Sequence, residues 1–293
     1  MGSVDKFYLT ALKSIIVNKK GGITVQLDTI IYEVKDHIAK ITMNRPEKMN
    51  ALNHALLRDI DVAFGEADRD PEVRVVILTG SGKAFSSGYD LVGGSDYTSV
   101  PEGYDEWTLG NSLRALRGVS ERYLRIMNFP KPVIAQIHGY CLAGGCYLQM
   151  CCDLSIASED SILGHPASRG GGVTSMPLWI SILGLRKAKE LLYLARLIDG
   201  KEAEKIGLVN RAVPREKLEE EVWNWAKTLA EVPADGMMMA KEAMNTHADI
   251  LGRGAVFAYH RQLNALLRLN HKSEKDARKR YETLRGKTRE SLR

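Results

Sequence analysis

The stretch IAQIHGYCLAGGCYLQMCCDLSIAS, Ile134 to Ser158, constrains the fold more than any other part of the chain. An apolar run reaches a loop at Gly139, meets Gly144 and Gly145 side by side, and turns apolar again with helical spacing. Glycine is among the poorest residues for a helix interior, so a glycine pair where a helix begins needs a reason. A helix start leaves backbone N–H groups without partners, beside the positive end of the helix dipole. Glycines leave those donors uncovered. The pair therefore either exposes N–H groups to an anionic oxygen or lets the helix pack closely on a neighbour. A second stretch of the same kind, GSGKAFSSGYDL from Gly80 to Leu91, follows another buried strand. Two such turns facing each other make a two-donor oxyanion hole, in which each donor is worth about 3–4 kcal/mol.

The surroundings set the fold class. TIIYEVKDHIAKITMN reads as two alternating strands about a turn at Lys35 to His37. NHALLRDIDVAFGEADRD is an amphipathic helix with Leu56, Ile60 and Phe64 on one face. VRVVILTGSG and KPVIAQIHG are buried strands, the residues after Gly144 form a buried helix, and LSIASEDSILGHP holds two short strands. From Leu178 onward the pattern is helical. Strand–helix alternation followed by helices predicts an α/β (α+β) core with a helical C-terminal part. The expected division is an N-terminal extension or short helix over 1–26, a core over 27–232 and a helical region over 233–293, with the boundary near Pro233.

Other function classes find little support. The net charge is +5, from 41 Lys and Arg against 36 Asp and Glu, and much of the excess lies in the tail Lys272 to Arg293. With no stripe of aromatic and basic residues this tail reads as a solvated helical face and not as a nucleic-acid surface; an anionic ligand is the other use for its charge. Cys141, Cys146, Cys151 and Cys152 lack metal-site spacing, so no metal is expected and they read as buried free thiols of a reducing compartment. No apolar stretch spans a membrane and no secretory signal opens the chain, which makes the cytoplasm the default compartment. Neither glycine turn completes a dinucleotide, Walker or nucleophile-elbow motif.

The segments ITMNRPEKMNAL, VRVVILTGSGKAFSSGYDL, FPKPVIAQIHGYCLAGGCYLQMCCDLSIASEDSILGHP and LYLARLIDGKEAEKIGLVNRAVP resemble the crotonase (enoyl-CoA hydratase/isomerase) superfamily in order and spacing. The resemblance implies a crotonase-like spiral of β-β-α repeats and a C-terminal helical region that supports homotrimers or hexamers. It implies an acyl-CoA substrate, with coenzyme A as part of the substrate and no tightly bound cofactor. The thioester oxygen, enolate-like during reaction, is expected at the backbone N–H groups of Tyr89 and Gly144. The CoA moiety is expected at Lys48, the Lys83–Ala84 backbone, Ser87 and Asp90; Lys48 and Lys83 read equally as surface lysines, and Asp90 also as a turn-former.

The chain departs from the family's hydratase branch at both catalytic glutamates. The resemblance sets Tyr147 in GGCYL at the first position and Ala167 in GHPAS at the second. Neither does carboxylate work near neutral pH. The candidate substitutes are His165 as general acid or base, or else a packed structural histidine; Tyr147 as a proton donor, or else a core aromatic; and Ser168 and Arg169 ahead of the run Gly170 to Ser175. Asp96, Asp105 and Glu106, in a loop from Asp96 to Trp107, and His260 on a C-terminal helix are further candidates. The expected function is hydration or isomerisation of an enoyl-CoA by a non-standard acid/base set. The alternatives are a C–C bond hydrolase or decarboxylase on a CoA thioester, or a non-catalytic acyl-CoA-binding member.

Overall fold

The computed structural model describes residues 14–17, 23–91, 108–167 and 178–269. Strands β1 (Ser14–Val17) and β2 (Ile23–Gln26) pair antiparallel, and β2 continues onto β3 (Ile30–Lys35). Both lie within the stretch read from sequence as an extension or short helix; here they lengthen a sheet. β3 returns antiparallel as β4 (Ile38–Met43) through Asp36 and His37, whose φ angles of 52° and 63° match a tight hairpin turn. Helix α1 (His54–Arg69) starts where the Asn53 side chain accepts the Leu56 N–H at 2.9 Å, and it buries Leu56, Ile60 and Phe64 as their spacing predicts.

A repeating unit then follows: a long buried strand, a short strand and a helix. The first holds β5 (Val75–Gly80), β6 (Ala84–Ser86) and α2 (Leu109–Met127). The second holds β7 (Val133–Ile137), β8 (Tyr140–Leu142) and α3 (Gly144–Cys151). The third holds β9 (Leu154–Ser158), β10 (Ile162–Gly164) and α4 (Leu178–Tyr193), the last broken at Gly184. Then come β11 (Leu197–Asp199), α5 (Gly200–Lys205) and β12 (Arg211–Val213). Long strands collect in one sheet of order β1-β2-β3-β4-β5-β7-β9-β12 and short strands in another of order β11-β10-β8-β6. Parallel pairing runs from β4 through β5, β7 and β9 to β12, so each repeat advances both sheets one strand. This is the spiral of the crotonase fold.

Parallel strands covered on both faces carry near-continuous apolar runs, and every residue of β5 and β7 is buried. Alternate side chains, Ile38, Val75, Ile77, Ile134 and Ile156, face Val222 and Ala226 of α6 (Leu218–Ala230); their neighbours face the larger core toward α1 to α3. The chain continues as α7 (Ala234–Ile250), which starts just after Pro233, and α8 (Arg253–Leu269). Lys241 of α7 reaches Asp153 Oδ2 at 2.7 Å, and Arg253 of α8 pairs with Asp249, so polar side chains help fasten this region. Among the described residues no helix is long and apolar enough to cross a membrane.

Candidate active site

The two glycine turns meet. Helix α3 begins at Gly144 after Ala143, which holds φ 47° and ψ −110°, a conformation costly for a residue with a Cβ. A Cβ on Gly144 would lie 2.9 Å from the Leu52 side chain and 3.1 Å from the Tyr89 ring, and one on Gly145 would lie 2.6 Å from the Ser86 carbonyl. One on Gly88 (φ 94°) would lie 2.9 Å from the Leu142 carbonyl and 3.2 Å from Gly144 N. The glycine pair thus lets the helix start touch β6 and the turn after it. The Gly144 N–H, first in the helix, has no acceptor among the described residues. The Leu52 N–H donates to the Gly88 carbonyl at 2.8 Å and the Asp90 N–H to the Leu52 carbonyl at 2.9 Å. That alternation turns the intervening Tyr89 N–H away from Leu52.

Beside the turns lies a polar aromatic cluster. The Tyr147 hydroxyl is 2.6 Å from His165 Nε2, with the two side chains 1% and 5% exposed. Burial pushes the His165 pKa down to about 4, opposed by a smaller contribution from a hydrogen bond to its own backbone. The ring is therefore neutral near pH 7, and in the tautomer protonated at Nδ1 its Nε2 accepts the Tyr147 O–H. The sequence offers His165 as an acid or base on its ordinary pKa; the buried ring departs from that, having no proton to give as an imidazolium at neutral pH. Tyr123 on α2 stands edge-on to Tyr147 at 6.2 Å, and its hydroxyl is 2.7 Å from that of Tyr89. Burial pushes the Tyr123 phenol up.

The residues assigned to CoA gather at one edge. Ser87 Oγ donates to the Lys48 carbonyl at 3.4 Å, and Pro46, which opens the Lys48 turn, abuts Gly82 beside Lys83. Lys48 and Lys83 are exposed. Ala84 is buried and its carbonyl already accepts Asn50 Nδ2 at 2.7 Å. The Asp90 carboxylate is buried against Arg45 Nη2 at 3.1 Å, the place a turn-former would take. Ala167 follows Pro166 at the end of the described segment, and His260 lies on α8 with its ring against Tyr259. Ser168, Arg169, the run Gly170 to Ser175, the Asp96 to Trp107 loop and the tail from Lys272 lie outside the described residues.

Arg45, Asn50 and Tyr123 escape the sequence reading. Arg45 and Asn50 stand in a motif quoted for its resemblance, and no spacing ties them to Asp90 or Ala84. Tyr123 sits on an ordinary amphipathic helix. The four cysteines are free, with Cys141, Cys146 and Cys151 buried. Among the described residues no group of His, Cys, Asp or Glu side chains is placed to hold a metal ion.

Comparison with known proteins agrees with this architecture. The family model for enoyl-CoA hydratase/isomerase matches residues 33–286. A probable enoyl-CoA hydratase of Rhizobium meliloti is 35% identical over 228 residues, which are 76% of this chain and 83% of the relative. The crystal structure of an enoyl-CoA hydratase/isomerase from Xanthobacter autotrophicus Py2 superposes with a TM-score of 0.77 at 30% identity, over 91% of this chain and 95% of that one. That of a probable enoyl-CoA hydratase from Mycobacterium thermoresistibile gives 0.74 at 36% identity, over 83% and 97%. With the spiral, the paired glycine turns and these matches in agreement, the chain belongs to the enoyl-CoA hydratase/isomerase family of the crotonase superfamily.

Proposed function

We propose that the protein is an enzyme that carries an acyl-CoA thioester through an enolate, with the Tyr89 and Gly144 amides as the oxyanion donors and Tyr147 with His165 as the acid/base pair. The single observation behind this reading is the contact between the two glycine turns, with the Tyr147–His165 hydrogen bond close by. Negative charge growing on a thioester oxygen is what fixed backbone donors stabilise, because they need no reorganisation during the reaction.

In a double-bond shift the Tyr147 oxygen takes a proton from the acyl α carbon while passing its own proton to His165 Nε2. The resulting imidazolium, costly in a buried site, forms beside the enolate, whose charge offsets that cost. Reversal of the same two transfers at another carbon completes isomerisation. One proton carrier suffices here, whereas hydration also needs a water to be activated. A second reading rests on the low proton affinity of His165. Decarboxylation expels CO2 and leaves the enolate without a base, so it then needs only a proton donor to the α carbon, a role open to the neutral Tyr147 hydroxyl; hydrolytic C–C cleavage would need an activated water as well. A homotrimer or hexamer joined through the C-terminal helices is part of the proposal.

Crotonyl-CoA, a β,γ-unsaturated acyl-CoA and a malonyl-type CoA ester, each followed for turnover, separate these chemistries. Tyr147→Phe keeps the ring and removes the hydroxyl. It is expected to lower kcat on the accepted ester by about 100- to 10,000-fold, the usual worth of a general acid or base. Full turnover by both Tyr147→Phe and His165→Gln would discard the pair. Tight binding of CoA esters by the wild type with no turnover of any would instead support a non-catalytic binding role.

A further inference from the structure

We infer that the buried Arg45–Asp90 ion pair is a positioning device for the Tyr89 amide: it sets how strongly a thioester carbonyl is polarised without touching the substrate. The inference rests on the proposed reading that this amide is an oxyanion donor.

The bonds around Tyr89 form a closed ring. Arg45 donates through Nη2 to Asp90 Oδ2 and through Nη1 to the Ala51 carbonyl. The residue after Ala51, Leu52, gives its N–H to Gly88 and takes the Asp90 N–H on its carbonyl. Both chain neighbours of Tyr89 are thereby tied to one segment, and the guanidinium joins the two ends of that arrangement. Below it, the Gly88 N–H donates to Ser86 Oγ at 3.2 Å, and that hydroxyl donates to the Asn50 carbonyl at 2.8 Å. Asn50 Oδ1 in turn accepts the Arg45 N–H at 2.9 Å.

Two features mark this as more than a stability device. The Arg45 and Asp90 side chains are only 13% and 9% exposed, and an ion pair so buried gains little over a well-packed apolar pair. What it supplies is direction, because a planar guanidinium serves two acceptors at a fixed angle and a lysine ammonium serves them poorly. Moreover, the pair attaches to the residue next to the proposed donor and to the Leu52 segment that orients it. An amide of a mobile loop would shift with each substrate; one held on both sides cannot.

The test uses butyryl-CoA labelled with 13C at the thioester carbonyl, a saturated ester that takes no water at a double bond. Infrared difference spectra of this probe bound to the full-length protein report how strongly its carbonyl is polarised. The wild type is expected to shift the carbonyl band to lower frequency. Asp90→Asn keeps an oxygen for Arg45 and should retain part of that shift; Asp90→Ala should lose most of it. Arg45→Lys should fall between Arg45→Gln and wild type. The dissociation constant of the probe is measured for every variant, so that each spectrum is taken on protein saturated with the ester and a lost shift is not lost occupancy. Wild-type polarisation that persists in Asp90→Ala and Arg45→Gln overturns the positioning role and leaves the oxyanion reading standing. A wild-type protein that binds the probe with no shift overturns the oxyanion reading and the inference with it. Should Asp90→Ala not fold, the isosteric Asp90→Asn and the Arg45 series decide the matter, with retained polarisation in all of them counting against the inference.

Discussion

At the residue scale the centre of interest is an imidazole that has lost its ordinary chemistry. His165 titrates at about 4 where an exposed histidine titrates near 6.5, because burial penalises the imidazolium. Folding therefore favours the neutral ring. Its contribution to stability is complete above pH 6.5, falls as the unfolded chain takes up protons below that, and is gone below about pH 4. A displacement of this size corresponds to about 3 kcal/mol. Urea unfolding of wild type and His165→Gln between pH 7 and pH 4.5 should show the wild-type advantage shrinking steadily toward acid; parallel declines in both proteins would refute the buried neutral ring. The sequence discloses the identity of this residue but not its state. HP in GHPAS announces a histidine before a turn, whereas its pKa depends on how Tyr147 and the residues around it close off water. Asp90 shows the same limit from the other side. A carboxylate two residues after a glycine reads as a ligand or a turn-former, and its pairing with Arg45, 45 residues earlier in sequence, is announced by no spacing.

At the element scale the geometry depends on how closely two turns approach. Gly88 has φ 94°, and a methyl there would meet the Leu142 carbonyl at 2.9 Å and Gly144 N at 3.2 Å. Gly88→Ala must therefore both strain its backbone and push β6's following turn away from the start of α3. A loss of about 1–3 kcal/mol in stability is expected from the backbone alone. A fall in kcat of roughly 10- to 100-fold should accompany it, since small misplacements of catalytic groups are costly. Gly118→Ala is the matched control: in the interior of α2 an added Cβ meets nothing within 4 Å, so about 1 kcal/mol of stabilisation and unchanged turnover are expected. Thermal melts and steady-state assays on the two variants check both halves; equal behaviour would mean that the turn contact is unimportant. The β3–β4 hairpin, helix α1 and strands β5, β7, β9 and β10 are legible in the sequence because periodicity is local, whereas β6, β8 and α2 receive no reading there and β11 and β12 interrupt a stretch read as helical. β1 and β2 are not legible either, since short strands at a sheet edge owe their existence to a pairing partner, here β3, more than to their own pattern.

At the scale of the whole molecule, α7 has its polarity inverted. The one buried residue of this helix is a lysine, Lys241, which reaches Asp153, while Met239, Met244 and Ile250 are 69%, 66% and 77% exposed. Leu251 beyond it and Tyr259 on α8 add to this apolar surface, 74% and 58% exposed. Single exposed apolar residues are ordinary; so many on the adjoining helices of one region mark a contact surface. The resemblance that implied trimers or hexamers implied them through this C-terminal region. A second copy of the chain is accordingly the expected occupant, and a closed ring would place each copy's apolar helices against its neighbour. Sedimentation equilibrium at micromolar concentration should then give three or six times the chain mass. Met239→Glu with Met244→Glu places two charges where desolvation leaves them unpaired, so the assembly should dissociate, while the chain itself keeps its fold because neither methionine is buried in it. A wild-type protein that sediments as a monomer would show that α7 turns its methionines to water or to something other than itself.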